Sequence, residues 1–292
     1  MFTAGRELVE PYEVASDRTA IVSILSDERY LRQRMPRALL RELERTDVPV
    51  RLVTANEVVA RVGVDPWTEL RKGDVVVART RNCFGLALLR GAARPGVTVV
   101  PRWESVTHVR NKARAVETLA ALGIPLPRTF LGESPAALKR LSAGEFPLLL
   151  KPYLGDNASG IVLVRHPLEL DDLAWPDGLV VAQEFVDSGS IDLKLYGVGD
   201  ELWAVERPSP LGGDGRTARP PQSVELTAEL EQLAYACRDA FELDLYGVDV
   251  LVSSRGPLVV DVNEFPNYTG VEAAPSAIAE HVRSLRRVAV AA

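Results

Sequence analysis

The sequence predicts an α/β fold that passes to α+β in its C-terminal part. Three observations carry that prediction. In the N-terminal third, short apolar runs alternate with helical periodicity at the pace of βαβ units. In the C-terminal part, strand-like runs follow one another with a single helix between them. The composition is that of a globular chain: of 292 residues, 47% are hydrophobic and 25% charged, so a sizeable core can form.

Thr19–Leu25 (TAIVSIL) reads as a buried strand, Met35–Arg45 as a helix with Leu39, Leu40 and Leu43 at helical spacing, and Val48–Thr54 as a second strand. Gly73-Asp74 leads into the strand Val75–Ala78, Phe84–Arg90 reads as helix, and Pro95-Gly96 turns into Val97–Val100. A mostly parallel sheet follows, with Pro101-Arg102-Trp103 as its boundary. Ser105–Leu122 is periodic throughout and reads as one long helix, stopped by Gly123 with Pro125 and Pro127 beyond. Pro135–Leu141 reads as a short helix, and Phe146–Lys151 and Ile161–Val164 as strands around the small-residue loop Pro152–Gly160. Strands are then expected at Val180–Phe185, Leu193–Val198 and Leu202–Glu206, a helix at Ala228–Phe241, and strands at Tyr246–Val252 and Leu258–Val262. Arg207–Gln222, rich in Gly and Pro, reads as a mobile loop that orders over substrate.

The formal net charge of -6 gives no basic bias toward nucleic acid or an anionic membrane. Cys83 and Cys237 form neither a disulfide framework nor a CxxC zinc signature, which fits a reducing compartment. No apolar run approaches the roughly 18 residues of a membrane helix, and Met1–Ala20 lacks an apolar secretory core. The expectation is a soluble, cytoplasmic protein. GxxxxGK[ST], GxGxxG and GxSxG are all absent, which removes Walker-type, ordinary dinucleotide-binding and nucleophile-elbow readings.

The most informative segment is Tyr246–Gly270. Two strands separated by Ser253-Ser254-Arg255-Gly256-Pro257 should form a hairpin whose five-residue loop puts Asp249 across from Asp261. Asp261 and Asn263 are two apart and share a strand face. Two carboxylates and an amide suit a hard cation such as Mg²⁺; the alternative is polar strand ends facing solvent. Lys151 before a small-residue loop suits an anion; the alternative is an ordinary hairpin. Lys112 on a helix face, and Lys194 and Arg207 in or beside strands, read equally as solvated cations. His108 and His166 show no zinc spacing and are expected at the surface.

Taken in order, these segments resemble the ATP-grasp superfamily. Asn111-Lys112-Ala113 with Leu122-Gly123-Ile124-Pro125-Leu126-Pro127-Arg128-Thr129 resembles the opening of that module. Phe146–Pro152 is similar to its first nucleotide-binding strand, Gln183-Glu184-Phe185-Val186 to its adenine hinge, and Gly247–Val250 with Val260–Pro266 to its metal-binding end. Within the superfamily, Asp192-Leu193-Lys194, Glu206-Arg207, Gly213-Asp214-Gly215-Arg216 and Thr269–Ala274 resemble RimK-type carboxylate–amine ligases. Lys194-Leu195-Tyr196-Gly197, Arg207-Pro208-Ser209 and Asp261–Tyr268 also resemble inositol trisphosphate 5/6-kinase-type enzymes. Lys194 stands where the ligases have arginine, and Asn267-Tyr268 where they have Gly-Leu; both departures lean toward the kinases.

The resemblance implies an ATP-grasp fold, with residues 1–105 as an α/β domain preceding a module over 106–292, its lobes being 106–180 and 181–292. It implies ATP with Mg²⁺ or Mn²⁺. Lys112 and Lys151 would contact phosphates, with Gly160 closing the small-residue loop. The hinge Gln183, Glu184, Phe185 and Val186 would meet adenine through the backbone of Glu184 and Val186, and Asp192 would meet the ribose. Lys194 and Arg207 would neutralise the transferring γ-phosphate, and Asp249, Asp261 and Asn263 would hold the metal. The implied activity is ligation of a small-molecule or peptide carboxylate to an amine through an acyl phosphate. The alternative is phosphorylation of an inositol phosphate or other polyol, for which Arg32, Arg34, Arg79 and Arg81 could supply cations, although a carboxylate substrate could also use Arg79 or Arg81. Neither nucleic acid nor membrane is an expected partner, and a homo-oligomer is admitted.

Overall fold

The computed structural model describes residues 19–154, 159–171, 173–187, 191–209 and 219–291. Its first sheet is built from β1 (Val22–Ser26), β2 (Val50–Thr54), β3 (Val75–Arg79) and β4 (Thr98–Val100), with α1 (Arg34–Glu44) and α2 (Cys83–Ala92) as connections. The strands are all parallel, in the order β2-β1-β3-β4. The chain leaves β1 to one side and returns to β3 on the other. A ligand-accepting crevice therefore opens at the carboxyl ends of β1 and β3.

The long helix expected over Ser105–Leu122 is two helices, α3 (Trp103–Arg110) and α4 (Lys112–Ala121). Asn111 breaks it: its backbone is extended (φ -82°, ψ 94°) and its side-chain oxygen accepts from Arg114 N at 3.1 Å. An Asn that bonds the backbone competes with helix continuation and becomes an N-cap. Lys112 thereby starts a helix instead of lying on the face of one, and its N–H is anchored to Tyr153 O at 2.9 Å.

The second sheet contains β5 (Thr129–Gly132), β6 (Leu148–Pro152), β7 (Val162–Val164) and β8 (Val180–Glu184) in the antiparallel order β5-β8-β6-β7. The third runs β11-β10-β9-β12-β13: β9 (Ile191–Val198), β10 (Glu201–Pro208), β11 (Gln222–Val224), β12 (Leu245–Ser253) and β13 (Gly256–Glu264). Helix α5 (Ala228–Phe241) lies between β11 and β12, and α6 (Ala274–Ala291) closes the chain. Sequence reading missed β5, β11 and α6. Arg207 and Pro208 belong to β10 and Gln222 to β11, so the expected loop is shorter than Arg207–Gln222. Its centre, including Gly213–Arg216, lies outside the described residues, as do residues 155–158 of the small-residue loop.

Alternation along the third sheet gives it two different faces. Leu193, Leu195, Ala204, Val248, Val250 and Val262 pack on one side against α5 and Leu119 of α4. Tyr196, Val198, Val205 and Leu245 point to the other, where they share a core with Val22, Ile24, Leu39, Val77 and α6 residues Ile278 and Val282. The first and third sheets are thus joined by continuous apolar packing. None of the helices among the described residues is long and apolar enough to cross a membrane.

Cys237 is fully buried in α5, and burial pushes its thiol up to about 12, whereas Cys83 at the start of α2 is exposed. The thiolate is the reactive form. A thiol reagent should therefore titrate one equivalent in the native protein, lost in Cys83→Ser, and a second only in denaturant. Two fast equivalents in the native protein would contradict this packing.

Candidate active site

The β12–β13 hairpin pairs Asp249 with Asp261, but through a shorter turn than five residues. Pairing continues to Ser253 and Gly256, leaving only Ser254 and Arg255 at the tip. Val250 pairs with Val259 and Asp249 with Asp261, so Val260 is an extra, bulged residue that restores the register. Its carbonyl accepts from Lys151 Nζ at 3.2 Å, a bond from the second sheet to the third.

On the same face, Lys194 is the β9 partner of Asp249 and Asp192 the β9 partner of Arg207. The apolar side of the sheet turns charged along the strands: Val198 and Tyr196 are followed by Lys194 and Asp192. Gly247 lies in the Asn263 row, where a Cβ would stand 3.1 Å from Pro266 and 3.4 Å from Tyr196, so a side chain there would crowd the floor of the cleft. A cleft of about 250 Å³ results, lined on this side by Asp192, Lys194, Arg207, Asp249, Asp261 and Asn263. Its opposite wall is the end of β3 and the residues after it, Arg79, Thr80 and Arg81, with Tyr30 and Gln33.

A second, narrow cavity of about 10 Å³ holds Lys112, Lys151 and Gln183 and shares Asp261 with the first. Lys112 Nζ donates to Asp261 Oδ1 at 2.7 Å, Lys194 Nζ to Asp249 Oδ1, and Lys151 Nζ to Gln183 Oε1 at 2.6 Å. Burial pushes the Lys151 ammonium down to about 8, against the pull of Asp261. Burial also opposes ionisation of Asp261, but Lys112 and Lys151 overcome it and hold the carboxyl below its ordinary range. Asp192 moves the other way: burial raises it, offset in part by a bond from Ser209.

Asp192 lines the larger cavity beside Lys194 and Arg207, away from Lys151 and Gln183. Glu184, Phe185, Val186 and Gly160 line neither cavity among the described residues. Glu184 N donates to Arg128 O at 2.8 Å and Phe185 N to Pro147 O at 3.1 Å, while the Glu184 carboxylate meets Arg255 at 2.9 Å. Gly160 has φ 73°, as expected of glycine in a turn. His108 is half-buried: it bonds Thr118 Oγ1 at 2.8 Å and meets the Phe241 ring edge-on. His166 caps the turn Pro167–Leu170.

Sequence reading also missed Glu264, Tyr30 and Gln33 in the cleft. Their signal was topological, since crevice residues follow the carboxyl ends of parallel strands. Asn267 Oδ1 accepts from Met35 N at 3.1 Å and Arg79 Nη1 at 3.2 Å, and Tyr268 OH donates to Gly197 O at 2.8 Å. Phe265 and Tyr268 have positive φ, 39° and 49°. Such non-glycine conformations cost about 1–3 kcal/mol each. Both rings are fully buried, worth about 1.5–3 kcal/mol for a side chain of this size, so packing holds the strained segment in place.

Two carboxylates and an amide on one sheet face form an oxygen-only donor set that fits Mg²⁺. Among the described residues, no group of three or more His, Cys, Asp and Glu is placed to hold a metal ion, so the third ligand here would be the Asn263 amide.

The RimK-like ATP-grasp domain matches residues 109–282. The chain is 30% identical over 213 residues to the "Probable alpha-L-glutamate ligase" of Marinobacter nauticus, covering 68% of this chain and 71% of that protein. The crystal structure of a RimK domain ATP-grasp protein from Sphaerobacter thermophilus superposes with a TM-score of 0.67 at 20% identity, covering 91% of this chain and 99% of that one. The ATP-grasp ligase PsnB, complexed with a minimal precursor, Mg and ADP, gives 0.69 at 14% identity over 93% of this chain and 100% of its own.

The Lys151 pKa of about 8 in the fold, against an ordinary 10.5, fixes a sign. Between those values the unfolded chain binds more protons, so the burial penalty is complete below pH 8 and relieved as pH rises. Lys151→Met should therefore gain stability relative to wild type most at pH 7, the advantage shrinking from pH 8 to 10. Denaturant unfolding across that range measures it; a pH-independent difference would contradict the depressed lysine.

Proposed function

The chain belongs to the RimK-like ATP-grasp family and is an ATP-dependent carboxylate–amine ligase, and from that premise we propose which residues carry the reaction. The observation that supports the assignment is the single sheet face on which Asp249, Asp261 and Asn263 meet lysines drawn from other elements. We take residues 106–292 as the catalytic module and 1–105 as the domain before it.

Lys112 and Lys151 hold phosphate oxygens, with Gln183 fixing the Lys151 ammonium. The small-residue loop ending at Gly160 covers the phosphates, and the backbone of Glu184 and Val186, on either side of Phe185, flanks the adenine. Asp249, Asp261 and Asn263 hold Mg²⁺, which supplies charge compensation on the phosphates; Mn²⁺ shares the preference for oxygen ligands and substitutes. Lys194 and Arg207 face the transferring phosphoryl group. Phosphoryl transfer needs positioning and compensation of charge more than a protein nucleophile, and this cleft is rich in both. Asp192, beside Arg207, belongs to the substrate end and not to the ribose.

A substrate carboxylate oxygen takes the γ-phosphoryl group, giving an acyl phosphate and ADP. An amine then attacks the acyl carbon, the C–O bond to phosphate breaks, and the amine loses its proton. The substrates are a small-molecule or peptide carboxylate and an amine; the Marinobacter relative supports L-glutamate as one of the pair. The proposed location is the cytoplasm, where ATP is available and free thiols stay reduced. The kinase alternative is not favoured, because the matched family and relative are ligases.

With the correct pair, free phosphate should appear in step with ADP and require the amine. Phosphate retained on an alcohol, with no amine requirement, would reverse the reading. Asp261→Ala should lower turnover by about two orders of magnitude or more while circular dichroism stays native, as for loss of a charge-stabilising group. Wild-type turnover in that variant would remove Asp261 from the metal site.

A further inference from the structure

We propose that Arg81 and Glu264 form a positioning pair that sets the amide of Asn263 toward the metal and keeps the surrounding charge from repelling it. The inference rests on the assignment of Asp249, Asp261 and Asn263 to the cation. Arg81 belongs to the first sheet's crevice and Glu264 ends β13, next to Asn263. Arg81 Nε and Nη2 meet the two Glu264 carboxylate oxygens at 2.6 and 3.0 Å, and Nη2 also donates to Asn263 Oδ1 at 3.2 Å. The pair is nearly closed to solvent, with side-chain exposures of 14% and 5%.

A guanidinium only donates, so whatever faces it from Asn263 must be the amide oxygen. That contact settles the orientation of the amide. A carbonyl oxygen has two lone pairs, and with one taken by Arg81 the other remains for a cation in the cleft. Arg81 is itself held from below. Its N–H donates to Asp27 Oδ2 at 2.9 Å, as does that of Asn82 at 3.1 Å, and Asn82 caps α2.

A buried cation beside a metal ligand would by itself weaken binding of a second cation. Arg110, from α3, lies within electrostatic reach of both Arg81 and Glu264, so two guanidiniums face this corner. Glu264 offsets that charge while keeping the Arg81 fork in place. The domain before the catalytic module thus orients a metal ligand without touching the metal.

The test reads binding, not turnover: the factor by which Mg²⁺ tightens a non-hydrolysable ATP analogue on the full-length protein, by calorimetry with and without Mg²⁺. Glu264→Gln should cut that factor about tenfold, or ~1.4 kcal/mol. Arg81→Gln added to Glu264→Gln should restore it to within about threefold of wild type, since the unbalanced charge is gone and an amide donor remains. A merely structural salt bridge would lower the melting temperature of both variants without changing the factor. A wild-type factor in Glu264→Gln, or no recovery in the double variant, overturns the proposal. Should Glu264→Gln fail to fold, Arg81→Lys keeps the charge but loses the planar fork that grips both Glu264 oxygens and Asn263 together. Its Mg²⁺ factor should fall, and an unchanged one overturns the proposal equally. Asp261→Ala separates the two readings: if it keeps the Mg²⁺ factor, the metal assignment fails. If it loses the factor while Glu264→Gln does not, only the positioning pair fails.

Discussion

The β12–β13 turn is two residues long, and a regular ladder from it would pair Asp249 with Val260. Side chains alternate with period two, so that register would send Asp261 and Asn263 to the face packed on α5. The bulged Val260 prevents this. It brings Asp249 and Asp261 opposite one another on the cleft face and presents a backbone carbonyl to Lys151. Bulges concentrate beside active sites because they re-aim side chains at the cost of one ladder position. Here the same residue supplies the register and a contact between two sheets.

Like charges directly opposite on adjacent strands repel, so the register creates a demand for cations. No one strand can meet it. Lys194 comes from β9, Lys112 from the helix start that Asn111 creates, and Lys151 from β6 of the second sheet. Exposed ion pairs are worth at most about 1 kcal/mol. These are partly buried, where breaking a pair costs more, up to about 3–5 kcal/mol for a fully buried one. The chemistry of the cleft and the attachment of the sheets around it therefore share one set of charges.

The short-range patterns were legible. Helix Ala228–Phe241 is read from the sequence with its final bounds, and the parallel first sheet follows from its βαβ pace. The Asp249–Asp261 pair was also legible, though for a different reason: a supposed five-residue loop and a tight turn plus bulge give the same sum of residues. The break at Asn111 was not, because apolar periodicity continues across it and only a side-chain cap reveals it. Strands β5 and β11 are short and lack strong alternation, and the packing of their neighbours decides them. The pairing of Arg81, itself a candidate cation, with Glu264 was hidden for another reason. They lie far apart in sequence, and no local pattern states that the end of β3 meets the end of β13.

The departures from the ligase pattern show how tertiary context reassigns residues that sequence alone would give to a substrate. Asn267 and Tyr268 leaned toward a polyol kinase while their roles were read from resemblance. In the fold, Asn267 takes donors from Met35 and Arg79, and Tyr268 is fully buried against Tyr196 and the Gly197 carbonyl. Arg34, a candidate for phosphate binding, donates to the carbonyls of Tyr268, Val271 and Glu272. Arg79 donates to Gln33 and Asn267 and stacks over Tyr30. These groups fasten α6 and the strained β13–α6 segment to the first sheet. Cations spent on backbone carbonyls and ring faces cannot also wrap a phosphorylated ring without dismantling that junction. Lys194, the other departure, serves Asp249 equally well as a point charge, since its partner is a single carboxylate oxygen and not a planar acceptor needing a guanidinium fork.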